Sequence, residues 1–390
     1  MTENAQIEFH YPFEDVSARM TPLHNAQAKL EDELVSYHEV KENQILLVRK
    51  ADESWPRNSE GRFLDDQYKA RRNVIAVIDD DKNLIYKSTL PGMAVYTLNG
   101  LEVMEDLVID GNITPTTGDI SYSGNIMIKG DVTYGRSITC GGELVILKNV
   151  DDNVTLNCDG PLKINGGCCG EGTIINGKKS ITLGYLEYSK IFCEKDITIR
   201  VHSYEARIVC MGRLSIQGQK VINKQRGTLF GGYTCSFGQL SSKSIGGEGI
   251  VTEIYVGIDF KIKENFDKLT IAKDQLDKKL LVSQRYLSQF IRPDKVQEDL
   301  VKLNNDSKII VRDTLKEIRD LRRSIQQIEE RIPLLEQKMY NRDPHENLVT
   351  VQEFIAPKVQ LQIRQCQELL EDKYSGYTRI KYQKGEFNFF

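Results

Sequence analysis

The chain has 390 residues, 40% of them hydrophobic and 28% charged, which is apolar material enough for two or three domains and excludes a disordered tail or a mini-protein. A formal net charge of −4 excludes a global basic field, so nucleic acid is not an expected partner. Residues 1–10 lack the basic and apolar blocks of a signal peptide, and no apolar run approaches the ~18 residues of a membrane span, so the expectation is a cytoplasmic protein without membrane insertion.

Residues 1–99 read as a small α+β domain, with a helix around Leu23 to Tyr37, strands near Ile45 to Arg49 and Val74 to Ile78, and a polar loop carrying Trp55-Pro56 and Gly61. The texture then changes: 25 of the 29 glycines lie between Gly100 and Gly257, and none lies between Ile258 and Ser375. In the glycine-rich stretch a nine-residue pattern recurs, with apolar residues at its first, third, seventh and ninth positions. Copies begin at Leu101, Ile120, Ile138, Leu156, Ile174, Ile191 and Ile208, in steps of 19, 18, 18, 18, 17 and 17, with the copy at Ile174 one residue longer. Within a copy the apolar side chains alternate as on a half-buried strand, around turn formers such as Ser123-Gly124-Asn125 and Gly141-Gly142-Glu143. So short a unit cannot bury its own apolar face, so copies must stack ~4.8 Å apart. That predicts a parallel β-helix over residues 100–259, on the order of 35–45 Å tall.

The register slips through an insertion at residues 217–232, a weaker copy follows at Tyr233-Thr234-Cys235, and a last strand runs from Ile250 to Ile258. From Phe260 a 4,3 spacing takes over, in Ile262, Phe266, Leu269, Leu276, Leu280, Leu287 and Phe290, and again from Ile318 to Met339. An antiparallel coiled-coil hairpin over 260–343 follows, its tip between Ile291-Arg292-Pro293-Asp294 and Asn304-Asn305-Asp306, with a kink at Pro333. The strand pattern returns in 344–390, through Val349, Val351, Ile355 and Val359 to Ile363, as a segment that rejoins and caps the β-helix.

Cys140, Cys158, Cys193 and Cys210 all take the third position of a copy, where Val103, Tyr122 and Asn176 stand in others, and Cys235 is third in the weaker copy. This is the pattern of an inward ladder of small apolar side chains, and the CxxC or nearby histidine spacing of a metal site is missing. Cys168-Cys169, flanked by glycines, reads as a turn or corner. The segment Gly172 to Lys178 begins like a phosphate-binding loop, but Lys179 stands where Ser or Thr should be, and the frame is strand on both sides. Histidines stand at 10, 24, 38, 202 and 345 without a ligand-like pair, and only His202 lies in the repeat. Ile138, Leu144, Val150, Leu156 and Leu162 keep the six-residue step of hexapeptide acyltransferases, but the step breaks in the 17-residue copies and the glycine after each aliphatic residue is missing. No catalytic, cofactor-binding or metal residue is therefore assigned, and no partner-binding residue either. The alternative is an enzyme on the column acting on an acyl or sugar substrate, with His202 as its base.

Over Lys261 to Tyr340, 18 Lys and Arg stand against 14 Asp and Glu, the mixed signs of a solvated coiled-coil surface. Protein partners are expected on the hairpin or on a face of the β-helix, and homo-oligomers, end-to-end filaments among them, are left open.

The blocks Gly118 to Ile126, Ile128 to Val132, Gly166-Gly167, Tyr185 to Ser189, Gly231-Gly232, Ile245-Gly246 through Val256-Gly257, the helical insertion and the Ile355 to Val359 segment resemble the flagellar assembly protein A family of bacteria, over roughly residues 100–390. The usual Gly-Asp-Ile turns are replaced at Gly142-Glu143-Leu144, Gly160-Pro161-Leu162 and Lys195-Asp196-Ile197. The resemblance implies a mainly β protein, a right-handed parallel β-helix similar to the C-terminal domain of a bacterial division inhibitor. It also implies a non-enzymatic role in flagellar assembly or polar placement, played through protein partners. No catalytic residue of that family carries over to this chain.

Overall fold

The computed structural model describes residues 7–9, 36–49, 70–81, 83–97, 100–218, 227–247, 249–292, 296–341, 343, 347–383 and 385–390. Three ladders of inward side chains build the column. Ile120, Ile138, Leu156, Ile175, Ile191 and Ile208 stand opposite one another in parallel strands on one face. Ile126, Leu144, Leu162, Ile181, Ile197 and Leu214 do so on a second. A narrower third side stacks Ile113, Val132, Val150, Cys168, Leu186, Ser203, Leu229 and Ile245. The result is a mainly β solenoid of about 8 turns. Ile138, Leu144, Leu156, Ile175 and Ile197 are wholly buried, each contributing about 1.5–3 kcal/mol by removal from water. The six-residue step is thus real from Ile120 to Cys168, because each rung offers one inward residue pair or residue to each of three sides.

Pairing corrects the repeat in three places. Leu156 faces Ile175 and Cys158 faces Gly177, so the fifth copy begins at Ile175, not Ile174, and keeps the ordinary spacing to Ile181 and Leu183. The extra residue lies in the preceding loop, because slipping the strand by one would turn its buried set outward. Ile174 is 38% exposed, and Asn176 points outward to bond Asn157 at 2.9 Å. The weaker copy begins at Thr234, with Ser236 rather than Cys235 in the third position. Leu101 does not face Ile120: Gly100–Met104 pairs antiparallel with Gly92–Thr97 instead.

That diversion closes one end of the column. Gly92–Thr97 sends Met93 and Val95 into the solenoid core and Ala94 into a separate core with Val40, Leu46, Leu47, Tyr86 and Val103. An end left open would expose unpaired backbone and apolar rungs. Ser36–Val40 is a strand on the far side of Gly92–Thr97, which overturns the end of the helix expected to reach Tyr37. Residues 23–35 of that helix, the Trp55 loop with Gly61, and His10, His24 and His345 lie outside the described residues. Ile45–Arg49 and Val74–Ile78 are strands as predicted.

The helical insertion consists of α1 (Phe260–Leu287), α2 (Val296–Lys302) and α3 (Asn305–Met339). Asp259 caps α1 by accepting from the Ile262 N–H, and Asn304 caps α3 by accepting from Ser307. The breaks fall where the Arg292 and Asn304 segments placed them, and α3 starts well before the apolar spacing at Ile318 and runs through Pro333. α1 and α3 lie side by side in opposite directions: Ile258 bridges Tyr340 at the base, and Lys273 Nζ is 3.0 Å from Glu329 farther out. At 1.5 Å per residue α1 reaches ~42 Å. The chain then rejoins the solenoid, Leu348–Ile355 pairing with Leu240–Ile245 and Val359–Ile363 with Thr252–Val256. Antiparallel strands Cys366–Leu370, Thr378–Gln383 and Glu386–Phe389 close that end, with Leu370 and Ile380 buried against the core.

Candidate functional site: the root and distal half of the helical arm

The cysteine ladder is structural, and its chemistry is more specific than small apolar filling. Cys140 Sγ lies 3.3 Å from the Gly124 carbonyl and 3.4 Å from that of Gly142, and Cys210 Sγ lies 3.0 Å from Lys195 O and 3.3 Å from Arg213 O. Ser236, at the same position, donates to Gly212 O at 3.0 Å and Gly238 O at 3.2 Å. The third position therefore holds a small donor that adds a second bond to turn carbonyls already accepting a backbone N–H from the next rung, as Gly124 O does from Gly142 and Lys195 O from Gly212. Gly177 breaks the series because the Ile181 side chain fills the space where its Cβ would stand. Burial pushes the Cys193 thiol up to about 11 and Cys210 up to about 12, and the Cys140 thiol is pushed up by its hydrogen bond with Cys158 and by burial. All of these cysteines are free thiols.

Cys168 belongs to the third inward ladder and is wholly buried, whereas Cys169 points outward and is exposed. Beside it the strands gather His202, Glu187 and Tyr185: His202 Nε2 is 2.6 Å from Glu187 Oε1, and its ring stacks on Tyr185 at 5.6 Å and 9°. Burial first, then Glu187, pushes the Cys169 thiol up, the opposite of an activated nucleophile. Residues Ile174–Gly177 form a strand between Thr155–Cys158 and Lys190–Cys193, and Lys178 pairs with Asp159 at 2.7 Å, so the glycine-rich segment is no phosphate loop. Among the described residues, no group of three or more His, Cys, Asp and Glu side chains is placed to hold a metal ion.

The more consequential site lies on the outward side of the Ile120–Ile208 face. Its outward positions run Thr139, Asn157 and Asn176 in the first rungs, then Phe192, Val209, Cys235 and Tyr255. Val209 and Cys235 are buried although they point away from the column, and Cys235 packs against Ile258 and Met339 at the base of the arm. Cys235, Ile258 and Met339 pack together with Tyr233, Tyr255, Phe260, Ile262, Phe266 and Tyr340. The Arg207 guanidinium sits 4.5 Å over the Tyr233 ring and 5.3 Å over Phe260, while Lys263 lies 5.4 Å over Tyr255. Burial pushes the Tyr255 hydroxyl up to about 12 and Tyr233 higher. Backbone bonds complete the root: Asp259 N–H donates to Met339 O at 2.8 Å, and the Asn341 side chain donates to Phe237 O at 2.9 Å. Gly257 turns the chain into this root at φ +72, where a Cβ would collide with Asn347.

Beyond the root, the arm is unfinished as a packed object. Leu281, Val282, Val301 and Ile309 are 60%, 67%, 79% and 58% exposed. Ile271 and Leu334, nearer the root, are each 59% exposed as well, so it is charge that divides the arm: residues 278–323 carry 12 Lys and Arg against 7 Asp and Glu, while 261–277 with 324–340 carry 6 against 7. The sequence signal that could have located the root is the switch of the outward position from Asn157 and Asn176 to Phe192, Val209 and Cys235, which a repeat read only for its inward residues passes over.

A parallel β-solenoid that carries a rooted helical arm defines the class of protein. The family model for the Flagellar Assembly Protein A beta solenoid domain matches residues 105–387, and the chain belongs to that family, as the resemblance over roughly 100–390 implied. Membership suggests a role related to flagellar assembly. No curated protein and no solved structure matches the chain. Among the described residues, no helix is long and apolar enough to cross a membrane.

Proposed function

We propose that the chain is a non-enzymatic, cytoplasmic scaffold or regulator in flagellar assembly or polar placement, acting through protein contacts made by the distal half of its arm. In this reading the solenoid is right-handed, the arm is an antiparallel coiled-coil hairpin, and the N-terminal segment is an α+β cap. The observation that carries it is the contrast within the arm: a base fixed to the column by Arg207, Tyr233, Phe260 and Met339, and an outer half with apolar side chains left in water. A rooted arm presents those side chains at a set distance and direction, which lowers the ordering cost of capturing a partner. An enzyme acting on an acyl or sugar substrate is the alternative, and the Glu187–His202 pair is what favours it. Against it stand the ring stacking that holds His202 and the raised Cys169 thiol beside it.

The test replaces the chain in its native host by a version lacking residues 274–328, joined by a short Gly/Ser linker across the Lys273–Glu329 pair so that the root stays covered. The purified variant should keep its strand signal and melting temperature, lose the partner captured by the full chain, and impair flagellation. Normal flagella with normal capture would contradict the proposal. A loss caused by His202→Ala and by Glu187→Gln, with the arm intact, would turn the reading to the enzyme.

A further inference from the structure

Val74–Ile78 is the outer strand of a four-stranded sheet with Ile7–Phe9, Ile45–Arg49 and Leu84–Ser88, and among the described residues no strand pairs its other side. All five of its residues are apolar, and Ile75, Val77 and Ile78 are 45%, 41% and 47% exposed. Proteins normally guard such an edge with a lysine, a proline, a bulge or a covering element. This edge has no lysine or proline in the strand, and its pairing with Leu84–Ser88 is regular from end to end.

The flanks are of opposite charge. Exposed Arg71 and Arg72 stand in the turn that enters the strand, and exposed Asp80 and Asp81 stand in the turn that leaves it. Asp79 is already occupied, accepting from the Asn83 N–H at 2.7 Å and from its side chain at 2.9 Å, so Asp80 and Asp81 are the acids left to face outward. The segment from Arg71 to Asp81 is therefore self-complementary in one orientation only. An antiparallel copy centred on Ala76 sets Val74 against Ile78 and Ile75 against Val77, and brings the two arginines beside Asp80 and Asp81 of the second copy at both ends. A parallel copy sets arginine beside arginine and aspartate beside aspartate.

We propose that Val74–Ile78 is a homodimerisation edge, pairing antiparallel with the same strand of a second copy to give one continuous eight-stranded sheet. Cross-strand Ile–Val pairs and backbone hydrogen bonds supply the attraction, a twofold axis passes beside Ala76, and the charged turns select orientation. The small central residue suits the axis, where two copies of one side chain must meet.

Sedimentation velocity on the full chain over a concentration series tests this, with circular dichroism to confirm that each variant is folded. The wild type should form a dimer, and Val77→Lys should weaken it by roughly tenfold or more, because a lysine on each edge strand repels its copy. Arg71→Asp with Arg72→Asp should weaken self-association, as should Asp80→Arg with Asp81→Arg. An equimolar mixture of those two double variants should recover a heterodimer, which no folding defect would produce. A wild type that stays monomeric, or a dimer indifferent to Val77→Lys and to both charge swaps, would overturn the proposal. Loss on Val77→Lys with no recovery on mixing would overturn the antiparallel register, and a wild type that stays monomeric would leave a strand from a different protein as the occupant of this edge.

Discussion

Leu156 in the column and Leu276 in the arm are the same residue in repeats of comparable regularity, yet Leu156 is wholly buried and Leu276 only half-buried. A rung has a neighbour above and below and two facing sides across the core, so all its inward atoms leave water. A helix of the arm has one neighbour along one seam, where Val311, Ile318 and Ile325 are buried, and its back stays open. The column is therefore complete within itself, whereas the arm spends its apolar side chains on a seam and still has some left over.

Truncating both leucines separates the two regions by the largest margin. Leu156→Ala should lose about 2–5 kcal/mol of stability in urea unfolding, and Leu276→Ala about 1 kcal/mol. Equal losses would mean that the arm is as tightly packed as the solenoid.

Alkaline pH tests the column alone. Cys193 and Cys210, with ordinary values of 9.0, are raised by burial to about 11 and about 12. A raised thiol favours the folded state while it stays protonated, so this stability is complete below about pH 9 and is lost as pH climbs through 11 to 12. The melting temperature should fall over that window, and replacing both thiols by serine should flatten the fall. A curve unchanged by the replacement would show that the thiols are not held neutral in the core.

Smaller effects separate the donor role of the ladder from its bulk. Cys210→Val removes the second donor to Lys195 O and Arg213 O, which keep the Gly212 and Ile197 N–H groups, and should cost about 0.5–1.5 kcal/mol, whereas Cys210→Ser, which copies Ser236, should cost less. The smallest change is expected at the root: Arg207→Ala removes a single exposed guanidinium from over Tyr233 and Phe260, about 0.5–1 kcal/mol, and should speed amide exchange in residues 260–266 while leaving the column strands protected. Faster exchange throughout the column would mean that arm and solenoid unfold together.

Much of the column was legible, because burial repeats: Ile120, Ile138 and Leu156 recur at the spacing of the rungs, and a side chain buried in each turn must be apolar in each turn. Alternation alone could not choose between Ile174 and Ile175, two identical residues side by side, and only the spacing onward to Ile181 and Leu183 settles it. Cys235 was misplaced for a related reason. Inward and outward cysteines look alike in sequence, and its burial comes from Met339 and Ile258, a contact between segments about a hundred residues apart. Glu187 beside His202 was equally hidden, since neighbours across a rung are 15 residues apart in the chain. The arm's breaks were readable from local chemistry at Asn304 and Arg292, but where its base sits on the column is a tertiary fact.

The proposed capture of a partner by the exposed apolar side chains of the distal arm is tested most directly by one variant with Leu281→Glu, Val282→Glu, Val301→Glu and Ile309→Glu, placed in the native host and compared with the full chain for flagella per cell and for the captured partner. These residues lie in water, so the purified variant should melt within a few degrees of the wild type. Loss of the partner and a flagellation defect as severe as that of the 274–328 deletion are expected. Normal flagellation and an intact partner complex in that variant would contradict the proposed capture.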